Sequence, residues 1–130
     1  IQASGALVTG VTLELTQDDR EAIAERVSEL TKKRNSKQPV QYPSAGSTFK
    51  RPVGGYAAAL IEDAGLKSFT VGGAQVSEKH SGFVINIGGA TCADVLELMR
   101  QVRQKVYDNS GIVLEPAVRI IGGELGEFGL

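Results

Sequence analysis

The chain has one cysteine, one histidine and no tryptophan among its 130 residues. Cys92 alone cannot close an internal disulfide, which suits a reducing, cytoplasmic setting. With His80 as its only other soft ligand, a zinc cluster is excluded and no metal site is expected. No apolar run approaches the roughly 20 residues of a membrane-spanning helix. Nor does a basic segment lead into an apolar stretch as in a signal peptide. The first residue is Ile1 rather than Met, so a fragment or processed product is expected.

Hydrophobic residues make up 42%, enough for one ordinary core in one domain. Sixteen glycines signal several tight turns. The net charge of -1 conceals a strong asymmetry: six cations (Lys32, Lys33, Arg34, Lys37, Lys50, Arg51) fall between residues 31 and 52, a span without Asp or Glu. The rest of the chain holds the other eight of 14 cations against all 15 acids. Such a basic region attracts phosphates or carboxylates locally, while the acidic remainder argues against nucleic acid as a partner. Lys32, Lys33 and Arg34 also suit the negative end of a helix dipole, a structural reading that does not extend to Lys37, Lys50 and Arg51.

Hydrophobic periodicity gives the coarse architecture. Leu7, Val11, Leu13 and Leu15 share one parity and predict a strand over 5–15. Thr16 is the expected cap of a helix with Asp18, Asp19 and Glu21 in its first turn, Ile23, Val27 and Leu30 on one face, and an end near Asn35. A long loop follows from about Ser36 to Gly55, with Pro39, Pro43 and Pro52; loops of this length in compact domains are usually functional or disordered. A short helix is expected over 56–64, a brief strand over 69–71, a turn at Gly72-Gly73 and a buried strand over 82–87. Thr91 with Asp94 reads as a capping arrangement. It opens a helix with Val95, Leu98, Met99, Val102 and Val106 on one face, closed by Gly111. A final strand is expected over 112–121, interrupted at Pro116. The pattern predicts an α+β fold: a small mixed or antiparallel sheet packed with two main helices and a short one.

The chemistry concentrates in Pro43-Ser44-Ala45-Gly46-Ser47-Thr48-Phe49-Lys50-Arg51-Pro52, where prolines brace a hydroxyl after a flexible glycine and cations follow. Together with Ser36-Lys37-Gln38-Pro39, this run resembles the UDP-N-acetylenolpyruvoylglucosamine reductase (UDP-N-acetylmuramate dehydrogenase) family. The resemblance continues in order through Leu60 to Lys67, Gly72-Gly73-Ala74-Gln75-Val76-Ser77, Lys79-His80-Ser81-Gly82-Phe83 and Leu114-Glu115-Pro116-Ala117-Val118-Arg119. It spans roughly Val11 to Gly122 and matches that family's C-terminal, substrate-binding domain. It implies a lead-in over 1–15 from a missing FAD-binding portion, a substrate-binding domain over 16–122 and a tail over 123–130.

The resemblance also implies a reaction. The family's enzymes use FAD, reduced by NADPH, to reduce the enolpyruvyl ether of UDP-N-acetylglucosamine enolpyruvate during peptidoglycan synthesis. Ser47 corresponds to the proton donor and Glu115 to the catalytic glutamate, which would orient the substrate or share a proton. A serine hydroxyl is a weak acid, so placement and nearby donors must assist it. Lys37 matches a substrate-binding position, and Arg51 stands where some members have asparagine and could grip phosphate with a bidentate fork. His80 is either a substrate contact or a satisfied surface histidine; Gln38 and Tyr42 are weaker candidates. No Gly-x-Ser-x-Gly elbow surrounds Ser47, which disfavours a serine hydrolase. The family's FAD-binding domains, and an arginine and a tyrosine from them, have no counterpart here, so no cofactor is expected on this fragment and isolated turnover is not expected. A stand-alone nucleotide-sugar-binding module without redox activity is the alternative.

Overall fold

The structure is a computed structural model that describes residues 5–122, together with 126 and 129. The greater part of the expected tail over 123–130, and residues 1–4 of the lead-in, lie outside the described residues. The chain divides into two compact units, residues 1–32 and 33–130.

In the first unit, residues 6–19 form no strand, contrary to expectation. A strand exists only as a member of a ladder, and Leu7, Val11, Leu13 and Leu15, which supplied the alternation, are all exposed. Helix α1 spans Arg20–Lys37. Asp19, not Thr16, caps it: the Asp19 carboxylate accepts from the Glu21 and Ala22 N–H groups, both at 3.0 Å. A carboxylate here satisfies orphan donors and adds charge where the helix dipole is positive. The helix also outruns its expected stop at Asn35. Proline disfavours helical backbone in the residue before it, so Gln38, preceding Pro39, is the first position where the chain must leave.

The second unit is built on a four-stranded sheet. Its members are β1 (Ser44–Ser47), β2 (Thr70–Val71), β3 (Ala74–Val76) and β4 (Phe83–Asn86), arranged β1-β4-β3-β2. Every pairing is antiparallel. Helix α2 covers Ala57–Asp63 and is followed by Gly65 at φ +71°, a conformation that favours glycine. Helix α3 covers Cys92–Ser110 and packs against β2, β3 and α2. The capping box is present as expected: the Thr91 hydroxyl accepts from the Asp94 N–H (3.1 Å) and the Asp94 carboxylate from the Thr91 N–H (2.9 Å). Leu98, Met99, Val102 and Val106 are fully buried against Ile61, Ala74, Val76 and Leu114. The α+β class is therefore as the sequence pattern predicts.

Two loop expectations need correction. Ser44–Ser47 is an edge strand rather than loop. Its pairing runs Ser44↔Ile85 and Ser47↔Phe83, three residues against two, so the strand carries a bulge, with Gly46 at φ +81°. A bulge and an edge position are what let a short, proline-flanked segment join a sheet. Conversely, the expected last strand reduces to one bridge, Phe49↔Pro116. Residues 113–117 do alternate strictly between exposed and buried, yet only this one bridge joins them to a partner segment among the described residues.

Candidate active site

Ser47 ends the edge strand, exposed, and the next two residues anchor it. Thr48 is 2% exposed and engages three polar groups. Its N–H donates to the Gly82 carbonyl (2.9 Å), its carbonyl accepts from the Ala117 N–H (2.8 Å), and its hydroxyl accepts from the Val84 N–H (3.1 Å). Phe49 is buried in the core beside it. The exposed hydroxyl is thus carried on backbone fixed from the inside, which is what placement of a weak acid requires.

The same anchoring brings in Glu115. The Lys50 N–H donates to the Glu115 carbonyl (2.7 Å), and with the Ala117–Thr48 bond this frames the Phe49↔Pro116 bridge. Both ladder bonds flank Pro116, so its missing N–H costs nothing there. The Lys50 ammonium also forms an ion pair with the Glu115 carboxylate. Both side chains are more than half exposed, and exposed pairs of this kind contribute about 0–1 kcal/mol to stability. The local fold is held by the backbone bridge and the buried neighbours rather than by that pair.

The remaining predicted residues divide. A hollow of about 480 Å³ beside the bulge is lined by Arg34, Gln38, Tyr42, Ser44, Gly46 and Phe83, with neighbouring proline and valine. The structure therefore brings Gln38 and Tyr42 to the bulge that carries Ser47. Gln38 accepts from the Arg34 Nε at 3.1 Å across one helical turn. Lys37 is exposed as the last residue of α1 and is not among the residues lining that hollow. Arg51 is turned to its own loop: its guanidinium lies 4.1 Å from the Tyr56 ring centroid and its Nε donates to the Gly55 carbonyl (3.2 Å). His80 is half-buried; its Nδ1 accepts from the Gly82 N–H (3.1 Å), and its ring meets Phe83 edge-on at 4.9 Å. That geometry matches a satisfied histidine bracing the 80–83 turn.

Sequence reasoning missed three participants. Thr48 and Tyr56 carried no signal beyond proximity to the motif. Lys50 was legible as a cation but not as the partner of Glu115, 65 residues away. A separate apolar hollow of about 550 Å³, lined by Val84, Val95, Leu96, Met99 and Val118 among others, lies over α3 and β4. It offers little polarity for a nucleotide sugar.

The glycine pair at 72–73 leaves no room for a dinucleotide's phosphates. A Cβ at Gly73 would lie 2.4 Å from both the Ala90 nitrogen and the Gly88 carbonyl oxygen. One at Gly72 would lie 2.4 Å from the Asp94 carboxylate. The space is filled by the protein itself, next to a negative charge, so this turn does not fit a pyrophosphate. Among the described residues no group of His, Cys, Asp and Glu could hold a metal ion.

An exposed serine, an ion-paired carboxylate and an adjacent polar hollow thus lie on an antiparallel α+β scaffold. The model of the family described as UDP-N-acetylenolpyruvoylglucosamine reductase, C-terminal domain, matches residues 38–121, and the chain belongs to that family. It is 52% identical over 122 residues to the UDP-N-acetylenolpyruvoylglucosamine reductase of Clostridium perfringens, covering 94% of this chain and 40% of that protein. The reductases of Clostridium beijerinckii (53% over 122 residues, 94% and 40%) and Clostridium botulinum (52% over 124, 95% and 40%) are similar. The crystal structure of the reductase from Thermus caldophilus superposes with a TM-score of 0.65 at 38% identity, covering 79% of this chain and 36% of that one. The chain thus spans about 40% of the length of the curated relatives it matches.

Proposed function

We propose that this chain is the substrate-binding domain of an FAD-dependent, NADPH-using reductase that converts UDP-N-acetylglucosamine enolpyruvate to UDP-N-acetylmuramate in bacterial peptidoglycan synthesis. The observation that carries the reading is the exposed Ser47 on its bulged edge strand, tied through Thr48 and Lys50 to the segment bearing Glu115. The stand-alone binding module is not favoured, because the relatives are reductases throughout their names. An exposed, unpaired Cys92 supports a cytoplasmic setting.

In the complete enzyme, bound FAD, reduced by NADPH, would supply the hydride for enolpyruvyl reduction. The Gly72-Gly73 turn leaves no room for its pyrophosphate, and we assign the cofactor to the rest of the polypeptide. The residues here handle charge and protons. Ser47 gives its hydroxyl proton to the α-carbon: the O–H bond breaks, and the enolate's electron pair forms the new C–H bond. Glu115 orients the substrate or shares the proton. Lys37 and Arg51 serve as contacts for the diphosphate, with Arg51 leaving its Tyr56 stack to do so, and Gln38 contributes a further substrate contact. General acid catalysis is worth about 10²–10⁴-fold. Ser47→Ala in the full-length enzyme should therefore slow product formation by at least that range while sparing flavin reduction by NADPH. Loss of both half-reactions together would refute the assignment.

A further inference from the structure

We infer that Lys50 is a positioning residue for Glu115, fixing the carboxylate that the proposed reaction uses; the inference rests on that reading of Glu115. Two independent links join the residues. Their backbones meet at the Lys50 N–H to Glu115 carbonyl bond of 2.7 Å, and their side chains meet in the ion pair. The backbone link is held on both sides by buried groups: Thr48 and Phe49 precede Lys50, while Leu114 and Pro116 flank Glu115. The side-chain pair is exposed, and its lysine stands three residues beyond Ser47.

An exposed glutamate on extended backbone otherwise samples several rotamers. The Lys50 ammonium selects the one that turns the carboxylate toward the 47–50 segment. It also offsets the negative charge that a carboxylate would present to an anionic substrate. Both effects act through Glu115, so removing Lys50 should matter only while Glu115 is there.

The test compares Lys50→Met, Lys50→Arg, Glu115→Gln and the Lys50→Met/Glu115→Gln double variant in the full-length reductase. A misplaced catalytic group costs up to about 100-fold. Lys50→Met should lower kcat for enolpyruvyl reduction by about 10–100-fold, with KM changed less than about threefold, and Lys50→Arg should recover most of the loss. In the double variant, Lys50→Met should add nothing to the Glu115→Gln defect. In this chain alone, Lys50→Met should move the NMR resonance of the Glu115 carboxyl carbon while the amides of 47–51 and 114–118 largely hold their positions. Normal kcat in Lys50→Met beside a crippled Glu115→Gln overturns the inference and leaves the function intact. So do additive losses in the double variant, or an unmoved carboxyl resonance. A fully active Glu115→Gln removes the underlying reading of Glu115, and this inference with it.

Discussion

Thr48→Val is the most informative single perturbation of this fold, because it changes one atom's chemistry and almost no volume. The Thr48 hydroxyl accepts from the Val84 N–H at 3.1 Å in a site only 2% exposed. Valine keeps the shape but offers that N–H no acceptor. Leaving a buried donor unsatisfied costs about 1–3 kcal/mol. At roughly 4 °C per kcal/mol for a domain near this size, Tm should fall by about 4–12 °C. Thr48→Ser is the control: it keeps the hydroxyl, loses one buried methyl, and should cost no more than about 1 kcal/mol. Urea unfolding of the chain, with the slope held fixed across variants, measures both. If Thr48→Val falls within about 0.3 kcal/mol of the parent, or if serine costs more than valine, the hydroxyl does not anchor the bulge. The account of how Ser47 is held would then be wrong.

Other outcomes follow from the same geometry. Gly73→Ala drives a Cβ into the Ala90 and Gly88 backbone at 2.4 Å, and should destabilise by about 1–3 kcal/mol or more in the same unfolding assay. Thr91→Ala should cost about 1 kcal/mol by opening the capping box at α3. Acid should weaken the fold: Glu97 is pulled from 4.5 to about 2 by the Arg100 guanidinium, and Asp94 is lowered by the Thr91 N–H and hydroxyl. A depressed folded pKa gives stability that is complete above the unfolded value and lost as pH falls through the folded one. The urea midpoint should therefore be flat above about pH 5 and decline from about 4.5 toward 2. Glu97→Gln should remove part of that decline, and 0.5 M salt should shrink the Glu97 part, since the pair is exposed.

What could be read from the sequence was whatever local chemistry decides. The α3 stripe, the Thr91–Asp94 box, Gly111 and the Gly72-Gly73 turn are settled within a few residues of themselves, and they stand where the pattern predicts. Apart from the Thr16 cap and the Asn35 stop, which neighbouring residues overrule, the failures are cases in which a remote partner decides. The alternation at 5–15 asks for a ladder that the described residues do not supply. Ser44–Ser47 looked like loop because Gly46 and the prolines oppose a regular strand, yet a bulge in β1, paired against β4, accommodates them. The short β3, Ala74-Gln75-Val76, has too little periodicity to announce itself and exists because β4 and β2 flank it. At the site, residue types near Ser47 were legible from the motif. The Lys50–Glu115 and Arg51–Tyr56 pairings were not, since a cation carries no local sign of which acid or ring it will meet.

The residues from Ser47 to Lys50 divide the work between the inside and the outside. Thr48 and Phe49 are buried and bonded or packed, whereas Ser47 and Lys50 are exposed. Chemistry and stability should therefore separate by position within four consecutive residues. Phe49→Ala removes a ring at 5% exposure and should cost about 3–5 kcal/mol. Ser47→Ala, at an exposed position away from any buried bond, should stay within about 0.5 kcal/mol of the parent. Denaturation of the two variants beside the Ser47→Ala half-reactions tests the division directly. A Ser47→Ala variant that unfolds as readily as Phe49→Ala would mean that the hydroxyl helps to hold the bulge. Its loss of turnover could then no longer be assigned to proton transfer.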